Sequence, residues 1–187
     1  MVVDPGDGDD GVLEYLQKNG IRPERVLITH GHMDHFADAA RLAEHYDIPI
    51  DFAKNEVEYL FSAEVQRGPY EEEVFEEFLQ AVETRGNLLQ DGDQLQLGES
   101  SFQIITLPGH SACGMCLYHP AAGVIIVGDQ LFAGSIGRTD MYRGSGVQLI
   151  RSIQEKLLIL PEETVVLPGH GPQTTIGQEK KTNPFLN

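Results

Sequence analysis

Four short stretches of the chain each place a histidine or an aspartate after an apolar run, with a glycine beside it. The stretches are LITHGHMDH (27–35), ITLPGH (105–110), IIVGD (125–129) and VVLPGH (165–170). Imidazole nitrogens and carboxylate oxygens without thiolates are a ligand set that suits zinc, with iron or manganese as alternatives. The four stretches together predict a metal-binding site.

The first stretch concentrates four such side chains. In an extended segment, residues i and i+2 project from the same side, so His30 and His32 can converge on one cation. Where the chain bends into the next helix, Asp34 and His35 can point toward a neighbouring position. The spacing offers ligands to two adjacent sites, and ions about 3.5–4 Å apart are the usual arrangement of two-metal hydrolytic centres.

The three later stretches supply further ligands for both sites. His110 and His170 each follow Leu-Pro-Gly, and Asp129 follows a glycine. The two carboxylate oxygens of Asp129 can bridge a pair of ions. We therefore predict a metal centre whose ligands are His30, His32, Asp34, His35, His110, Asp129 and His170.

The elements that position these residues follow from the alternation of short apolar runs with longer amphipathic ones, which predicts an α/β fold. Ligand sites in such folds form where strands end. The predicted strands are Arg25–Thr29, Ile48–Ala53, Gln94–Leu97, Ser101–Leu107, Met115–Tyr118, Gly123–Val127 and Thr164–Leu167. The predicted helices are Asp9–Lys18, Phe36–His45, Glu71–Thr84, Gly146–Leu158 and a short last helix that opens at a capping box, Thr175–Gln178.

Composition limits the domain organisation and the partners. A chain of 187 residues with 41% hydrophobic residues predicts one globular domain over 1–187. The 29 acidic and 13 basic residues give a net charge of −16, which argues against nucleic-acid and anionic-membrane partners. No signal-like apolar segment follows Met1, and no run approaches the ~18–20 apolar residues of a membrane helix. We expect a cytoplasmic protein; the sequence makes no prediction of its oligomeric state.

The two cysteines are too few for a disulfide framework, which fits a reducing compartment. Cys113 and Cys116 form a C-x-x-C, but residues i and i+3 of an extended run face opposite sides. No second C-x-x-C is present in the sequence. We interpret both as buried thiols rather than as a redox or zinc motif.

Five stretches, in this order, resemble the metallo-β-lactamase superfamily and most of all its glyoxalase II-like branch: THGHMDH (29–35), PGHS (108–111), GDQLF (128–132), GRTD (137–140) and PGHG (168–171). TTIGQEKKTNPFL (174–186) is similar to the tail of short glyoxalase II-like hydrolases. The resemblance implies a four-layer αββα sandwich with the metals at one edge, between the two sheets. Relatives have a first strand pair before the segment that matches Met1–Gly6, so the resemblance leaves open a fragment, a shortened chain or a natural variant.

The resemblance also implies how the ligands divide. His30, His32 and His110 would hold a first metal; Asp34, His35 and His170 would hold a second. Asp129 would bridge the two ions. Zinc is the metal that the ligand types favour, with iron or manganese as alternatives. A bridging hydroxide would attack the carbonyl of a small acylthiol such as S-lactoylglutathione, with Asp34 and Asp129 as the catalytic carboxylates. The implied activity is that of a hydroxyacylglutathione hydrolase-like thioesterase.

Two residues argue against other branches of the superfamily, one further departure affects glutathione recognition, and two alternative functions stay open. Asp129 in place of a cysteine argues against the most familiar zinc β-lactamases, and His32 in place of a glutamate argues against flavodiiron reductases. The helical extension that binds glutathione in full glyoxalase II does not follow His170. Persulfide dioxygenases carry a similar GRTD stretch and use one iron, at positions matching His30, His110 and Asp129. A metal-binding but catalytically idle relative is the other alternative.

Residues of the GRTD loop are candidates for substrate contacts. Arg138 can bind a substrate carboxylate with two hydrogen bonds, or it can stabilise its own loop by an ion pair with Asp140. The second role is the one we favour. Tyr142 and Arg143 lie on the same loop and are further candidates to line the cleft.

Overall fold

The computed structural model describes residues 1–6, 11–60, 62 and 69–187. The chain forms two compact units, Met1–Leu89 and Gln90–Asn187. The single domain expected over 1–187 stays a prediction.

The first unit contains a parallel sheet with the strand order β1-β2-β3-β4. Its strands are β1 (Val2–Val3), β2 (Val26–Ile28), β3 (Ile50–Ala53) and β4 (Gly86–Leu89). Its helices are α1 (Gly11–Lys18), α2 (Met33–Phe36), α3 (Ala39–Tyr46), α4 (Val57–Leu60) and α5 (Pro69–Arg85), with a 3₁₀ turn at Lys54–Glu56. Every residue of β2 and β3 is buried, as expected for the inner strands of a parallel sheet.

An aromatic cluster packs α5 against the first unit's sheet. The ring centroids of Phe36 and Phe78 lie 4.3 Å apart, those of Phe36 and Phe75 lie 4.8 Å apart, and those of Phe52 and Phe78 lie 5.6 Å apart. Five glutamates of α5 are exposed: Glu72, Glu73, Glu76, Glu77 and Glu83. The helix is amphipathic, as its sequence pattern predicts.

The second unit contains a six-stranded sheet with the order β12-β11-β8-β7-β6-β5 and a separate β9–β10 hairpin. Its strands are β5 (Gln94–Leu97), β6 (Ser100–Leu107), β7 (Gly114–His119), β8 (Val124–Gly128), β9 (Leu131–Phe132), β10 (Ser135–Ile136), β11 (Val165–Pro168) and β12 (Thr174–Thr175). Its helices are α6 (Gly146–Ser152), which continues as a π-helical turn over Ile153–Leu157, and α7 (Ile176–Thr182), beside a 3₁₀ turn at Pro120–Ala122.

Strand direction in the second unit brings three strand ends to one edge. Strand β7 is antiparallel to both β6 and β8, and β8 is parallel to β11. Strands β6, β8 and β11 therefore run in the same direction. Their carboxyl ends, where His110, Asp129 and His170 follow, meet at the same edge of the sheet.

A buried carboxylate attaches α7 to the hairpin that follows Asp129. Glu179 accepts hydrogen bonds from the Gly134 amide at 2.8 Å, from Thr174 Oγ1 at 2.6 Å and from Asn183 Nδ2 at 2.8 Å. The helix begins as predicted, because Thr175 Oγ1 accepts from the Gln178 amide at 3.2 Å.

All seven predicted strands are present, with ends shifted by at most two residues. The sequence did not reveal β1, β4, β9, β10 and β12. Four of these are two residues long, which is too short for a hydrophobic pattern, and β4 is exposed at three of its four positions.

The single helix predicted over Phe36–His45 is wrong. The chain forms α2 and α3, with a break at Ala37 and Asp38. The Asp38 amide donates to the Gly6 carbonyl at 3.3 Å and so leaves the helical ladder. The start predicted for the first helix, Asp9, lies outside the described residues.

None of the described helices combines the length and apolar composition needed to cross a membrane.

Candidate metal centre

In the first unit, the parallel strands β1 and β2 end side by side and bring Asp4 against Thr29. Asp4 Oδ1 accepts from the Thr29 amide at 2.8 Å, and Asp4 Oδ2 accepts from Thr29 Oγ1 at 2.7 Å. Asp4 Oδ2 also lies 2.8 Å from His35 Nδ1. The aspartate thus fixes both the strand end that leads to His30 and the ring of His35.

These contacts assign the protonated nitrogen of two histidines. Thr29 Oγ1 donates to Asp4, so it accepts at 3.0 Å from His30 Nδ1, and His35 Nδ1 donates to the Asp4 carboxylate. Both rings consequently present Nε2 as an electron-pair donor. Hydrogen bonding of the opposite ring nitrogen is the usual way that proteins orient a metal-ligating histidine.

His30 and His32 converge within the first unit. His30 Nε2 lies 3.0 Å from His32 Nδ1, and the ring centroids are 4.5 Å apart. Two imidazole nitrogens at this distance need a proton or a cation between them. Two nitrogens bound to one zinc ion at about 2.0–2.1 Å have a similar separation in tetrahedral geometry.

Asp34 and His35 form a second pair in the same unit. Asp34 Oδ2 lies 3.6 Å from His35 Nε2, and the Asp34 side chain is 53% exposed while that of His35 is 3% exposed. Helix α2 begins at Met33, so both residues project from its first turn. The stretch 30–35 thus presents two pairs of donor atoms.

Asp4 is a functional residue that sequence reasoning missed. Asp4, His30 and His35 each place one donor atom within 4.8 Å of the others, so Asp4 is also a geometric candidate for a ligand. We assign it a positioning role, because its two oxygens already accept hydrogen bonds from Thr29 and His35. The sequence pattern that could have revealed Asp4 is the one shared by the four ligand stretches, because this aspartate directly follows the apolar pair Val2–Val3.

Asp4→Asn is expected to weaken metal binding about 10–100-fold, because an amide nitrogen cannot accept the hydrogen bonds that the carboxylate accepts. Metal competition titration with a chromophoric chelator measures the change. Asp47→Asn is a matched control, since Asp47 has the same left-handed backbone (φ 55°, against 48° for Asp4) in an exposed position. Equal metal affinity of Asp4→Asn and wild type would contradict the positioning role.

In the second unit, the three strand-end residues converge on one carboxylate oxygen. Asp129 Oδ2 lies 4.0 Å from His110 Nε2 and 3.6 Å from His170 Nε2. The His110 and Asp129 side chains are 2% and 12% exposed, whereas that of His170 is 56% exposed. Asp129 Oδ2 thus lies within 4.0 Å of an imidazole nitrogen from each of two other strand ends, and its bridging role stays a prediction.

The GRTD loop fixes the orientation of the His110 ring. His110 Nδ1 donates to the Arg138 carbonyl at 2.8 Å, which leaves Nε2 facing Asp129. A Cβ atom at Gly137 would overlap the Asp129 carbonyl oxygen and lie 2.8 Å from His110 Nδ1. Only glycine lets the loop pass this close to both residues.

The donor sets of both units fit divalent metal ions. Each unit pairs imidazole nitrogens with a carboxylate, and His30, His35 and His110 are each held through Nδ1 by an oxygen acceptor. The predicted ligands are therefore brought together as His30, His32, Asp34 and His35 in the first unit and as His110, Asp129 and His170 in the second.

A comparison with known proteins identifies the family. The model of the metallo-beta-lactamase superfamily matches residues 1–170. The chain belongs to this superfamily. Its membership confirms the metallo-β-lactamase fold expected from the five stretches, and it indicates a metal-dependent hydrolase that uses divalent ions.

Relatives and solved structures of the superfamily match nearly the whole chain. Hydroxyacylglutathione hydrolase GloC of Haemophilus influenzae is 36% identical over 100% of this chain and 86% of its own length. The crystal structure of BLEG-1, a B3 metallo-β-lactamase, has a TM-score of 0.81 and 33% identity over 98% of this chain and 87% of that chain. TTHA1623 in a di-iron-bound form has a TM-score of 0.78 and 34% identity over the same shares.

The loop of this superfamily member that carries the predicted substrate contacts is held by an ion pair. Arg138 donates from Nε and Nη2 to the two carboxylate oxygens of Asp140, both at 2.8 Å, and the guanidinium lowers the pKa of Asp140 to about 2. Both side chains are exposed. The guanidinium carbon of Arg143 lies 5.8 Å from the Tyr142 ring centroid. The contacts favour the loop-fixing role of Arg138, and substrate binding by Arg138, Tyr142 and Arg143 stays a prediction.

The C-x-x-C of this metallo-β-lactamase-fold chain consists of two buried thiols, as predicted. Cys116 lies in β7, and its Sγ donates to the Val127 carbonyl at 3.8 Å. Burial raises the pKa of the Cys116 thiol well above its usual range. A protonated, buried thiol is a poor nucleophile and a poor redox centre.

Both cysteines are expected to react slowly with a thiol reagent in the native protein and fully after denaturation, because Cys113 is 4% exposed and Cys116 is 0% exposed. Absorbance with a chromogenic disulfide measures the rates, and Cys113→Ser and Cys116→Ser assign them. Labelling of either native thiol as fast as in the denatured chain would show that the burial is wrong.

Proposed function

We propose that the chain is a binuclear metal-dependent thioesterase of the glyoxalase II type that acts on a small acylthiol. In this proposal, which follows the ligand division that the family resemblance implies, His30, His32 and His110 hold one metal ion. Asp34 and His35 join His170 around the other, and Asp129 bridges both. Zinc is the proposed metal, with iron or manganese as alternatives.

The observation that carries the binuclear proposal is the position of Asp129. Its Oδ2 lies within 4.0 Å of one imidazole nitrogen from each of two different strand ends. The stretch 30–35 likewise contains two pairs of potential metal-ligating side chains, one pair for each proposed ion. A di-iron-bound neighbour at 34% identity supports two ions in this fold. It also keeps iron open as the metal.

The chain's own residues orient the reaction. Bound divalent ions would polarise the acyl carbonyl and lower the pKa of a water molecule to near neutrality. Asp34, whose side chain is 53% exposed, can accept a hydrogen bond from the attacking water. Asp4 and the Arg138 carbonyl keep His35 and His110 in place, so little reorganisation is needed during turnover.

Support for a thioester substrate comes from the likeness to a hydroxyacylglutathione hydrolase, which covers 100% of this chain and 86% of that relative. The charge of −16 supports a small-molecule partner rather than nucleic acid or an anionic membrane. A cytoplasmic location, which fits an acylthiol substrate and two reduced thiols, is part of the same proposal.

Hydrolysis of S-lactoylglutathione by chelator-treated protein, before and after reconstitution with Zn²⁺, tests this function. The proposal predicts turnover that requires the metal and is faster than hydrolysis of a chromogenic β-lactam. Faster β-lactam hydrolysis would assign a lactamase activity, as the likeness to BLEG-1 allows. Oxygen consumption on glutathione persulfide with one iron per chain would assign a dioxygenase.

A further inference from the structure

A short segment after β3 contacts the loop that carries His30 and His32. The segment comprises the 3₁₀ turn Lys54–Glu56 and helix α4, Val57–Leu60. Within it, Glu56 Oε1 accepts a hydrogen bond at 3.2 Å from the Gly31 amide, 25 residues away in sequence. Gly31 is the residue between the two histidines.

The same segment packs closely against Gly31. A Cβ atom at Gly31 would lie 2.9 Å from Leu60 Cδ2 and 3.2 Å from Tyr59 Cδ1. Tyr59 is 1% exposed, and its ring centroid lies 6.1 Å from that of His32. The peptide between His30 and His32 is thus held by packing on one side and by the Glu56 carboxylate.

Glu56 is fully buried, with a relative exposure of 0%. The charge of a buried carboxylate is weakly screened by salt and solvent, so it acts on ions that bind nearby. A divalent cation held by His30 and His32 would be such an ion, because Glu56 is hydrogen-bonded to the residue between them. The carboxylate also accepts a hydrogen bond from the Gly31 amide, and this bond sets the orientation of that peptide plane.

We propose that Glu56 is a positioning residue for the metal centre. Its hydrogen bond to Gly31 fixes the relative geometry of His30 and His32, and its negative charge strengthens binding of the cation that they hold. The inference rests on the proposed metal centre and goes beyond it, since Glu56 is not one of the proposed ligands. It separates two contributions, geometry and charge, that two substitutions can distinguish.

Glu56→Gln keeps an oxygen acceptor for the Gly31 amide but removes the charge, whereas Glu56→Ala removes both. Each chelator-treated protein is titrated with Co²⁺ against a competing chelator, and the visible d–d spectrum of the bound ion is recorded. We expect Glu56→Gln to bind Co²⁺ at least about 10-fold more weakly with an unchanged band position. We expect Glu56→Ala to bind more weakly still, with a shifted band.

Glu83→Gln, an exposed glutamate of α5 in the same unit, is the matched control and should bind Co²⁺ as the wild type does. Far-UV circular dichroism of the metal-free proteins establishes that each variant folds; if Glu56→Ala does not fold, Glu56→Gln decides by itself. Wild-type affinity in folded Glu56→Gln would overturn the charge contribution and leave the metal centre in place. Wild-type affinity and band position in folded Glu56→Ala would overturn the geometric contribution as well. A wild type that binds no Co²⁺ would overturn the metal centre and this inference with it.

Discussion

Asp129→Ala is expected to abolish thioester hydrolysis, with kcat/KM falling at least about 100-fold. The substitution removes the carboxylate that lies between His110 Nε2 and His170 Nε2, at 4.0 Å and 3.6 Å. Two imidazoles would then lose their shared anionic partner, and the proposed bridge between two ions would be gone. Kinetics with S-lactoylglutathione and elemental analysis of the same preparation measure both effects.

Bound metal in Asp129→Ala should fall from about two ions per chain to one or fewer. Glu99→Ala is the control, because Glu99 is an exposed carboxylate in a turn of the same unit. It should retain wild-type turnover and metal content. Turnover within twofold of the wild type in folded Asp129→Ala would show that the reaction does not use this carboxylate.

Gly137→Ala is expected to produce the second large loss without removing any polar group. The added methyl group would overlap the Asp129 carbonyl oxygen and crowd His110 Nδ1, which donates to the neighbouring Arg138 carbonyl. The loop must move away, and His110 then loses its orientation. We expect kcat/KM to fall at least about tenfold and the free energy of unfolding to fall by about 1–3 kcal/mol, as for other overpacked sites.

Gly146→Ala is the matched control for this substitution. A Cβ atom there would meet Thr139 Oγ1 at 3.2 Å, a tight contact with a side-chain atom that can shift slightly. Gly146 is also the first residue of α6, where alanine is a better helix former. Gly137→Ala and Gly146→Ala are compared by thermal unfolding and by kinetics. Equal behaviour of the two variants would contradict the close approach at Gly137.

Much of the fold could be predicted because buried strands produce uninterrupted apolar runs. VLI at β2 and VIIV in β8 are examples, and each is followed by a turn and a predicted ligand. The missed strands are short or exposed, so their pairing depends on partners distant in sequence. The break between α2 and α3 arises from a bond between Asp38 and Gly6, which local periodicity does not record.

The candidate ligands could be predicted because histidines at i and i+2 and aspartates after strands are rare as a set. The residues that hold these ligands in place could not be predicted. Glu56 and Asp4 contact positions 25 residues or more away, at Gly31 and at Thr29 and His35. Gly137 acts through the space that it leaves, and no spacing rule shows which glycine will lie beside Asp129.

The metal content of the protein, purified without chelator, tests the binuclear centre most directly. Elemental analysis should find about two divalent ions per chain, and removal of both should abolish hydrolysis of S-lactoylglutathione until they are restored. One iron per chain, with oxygen consumed on glutathione persulfide and no thioester hydrolysis, would contradict a two-metal hydrolase.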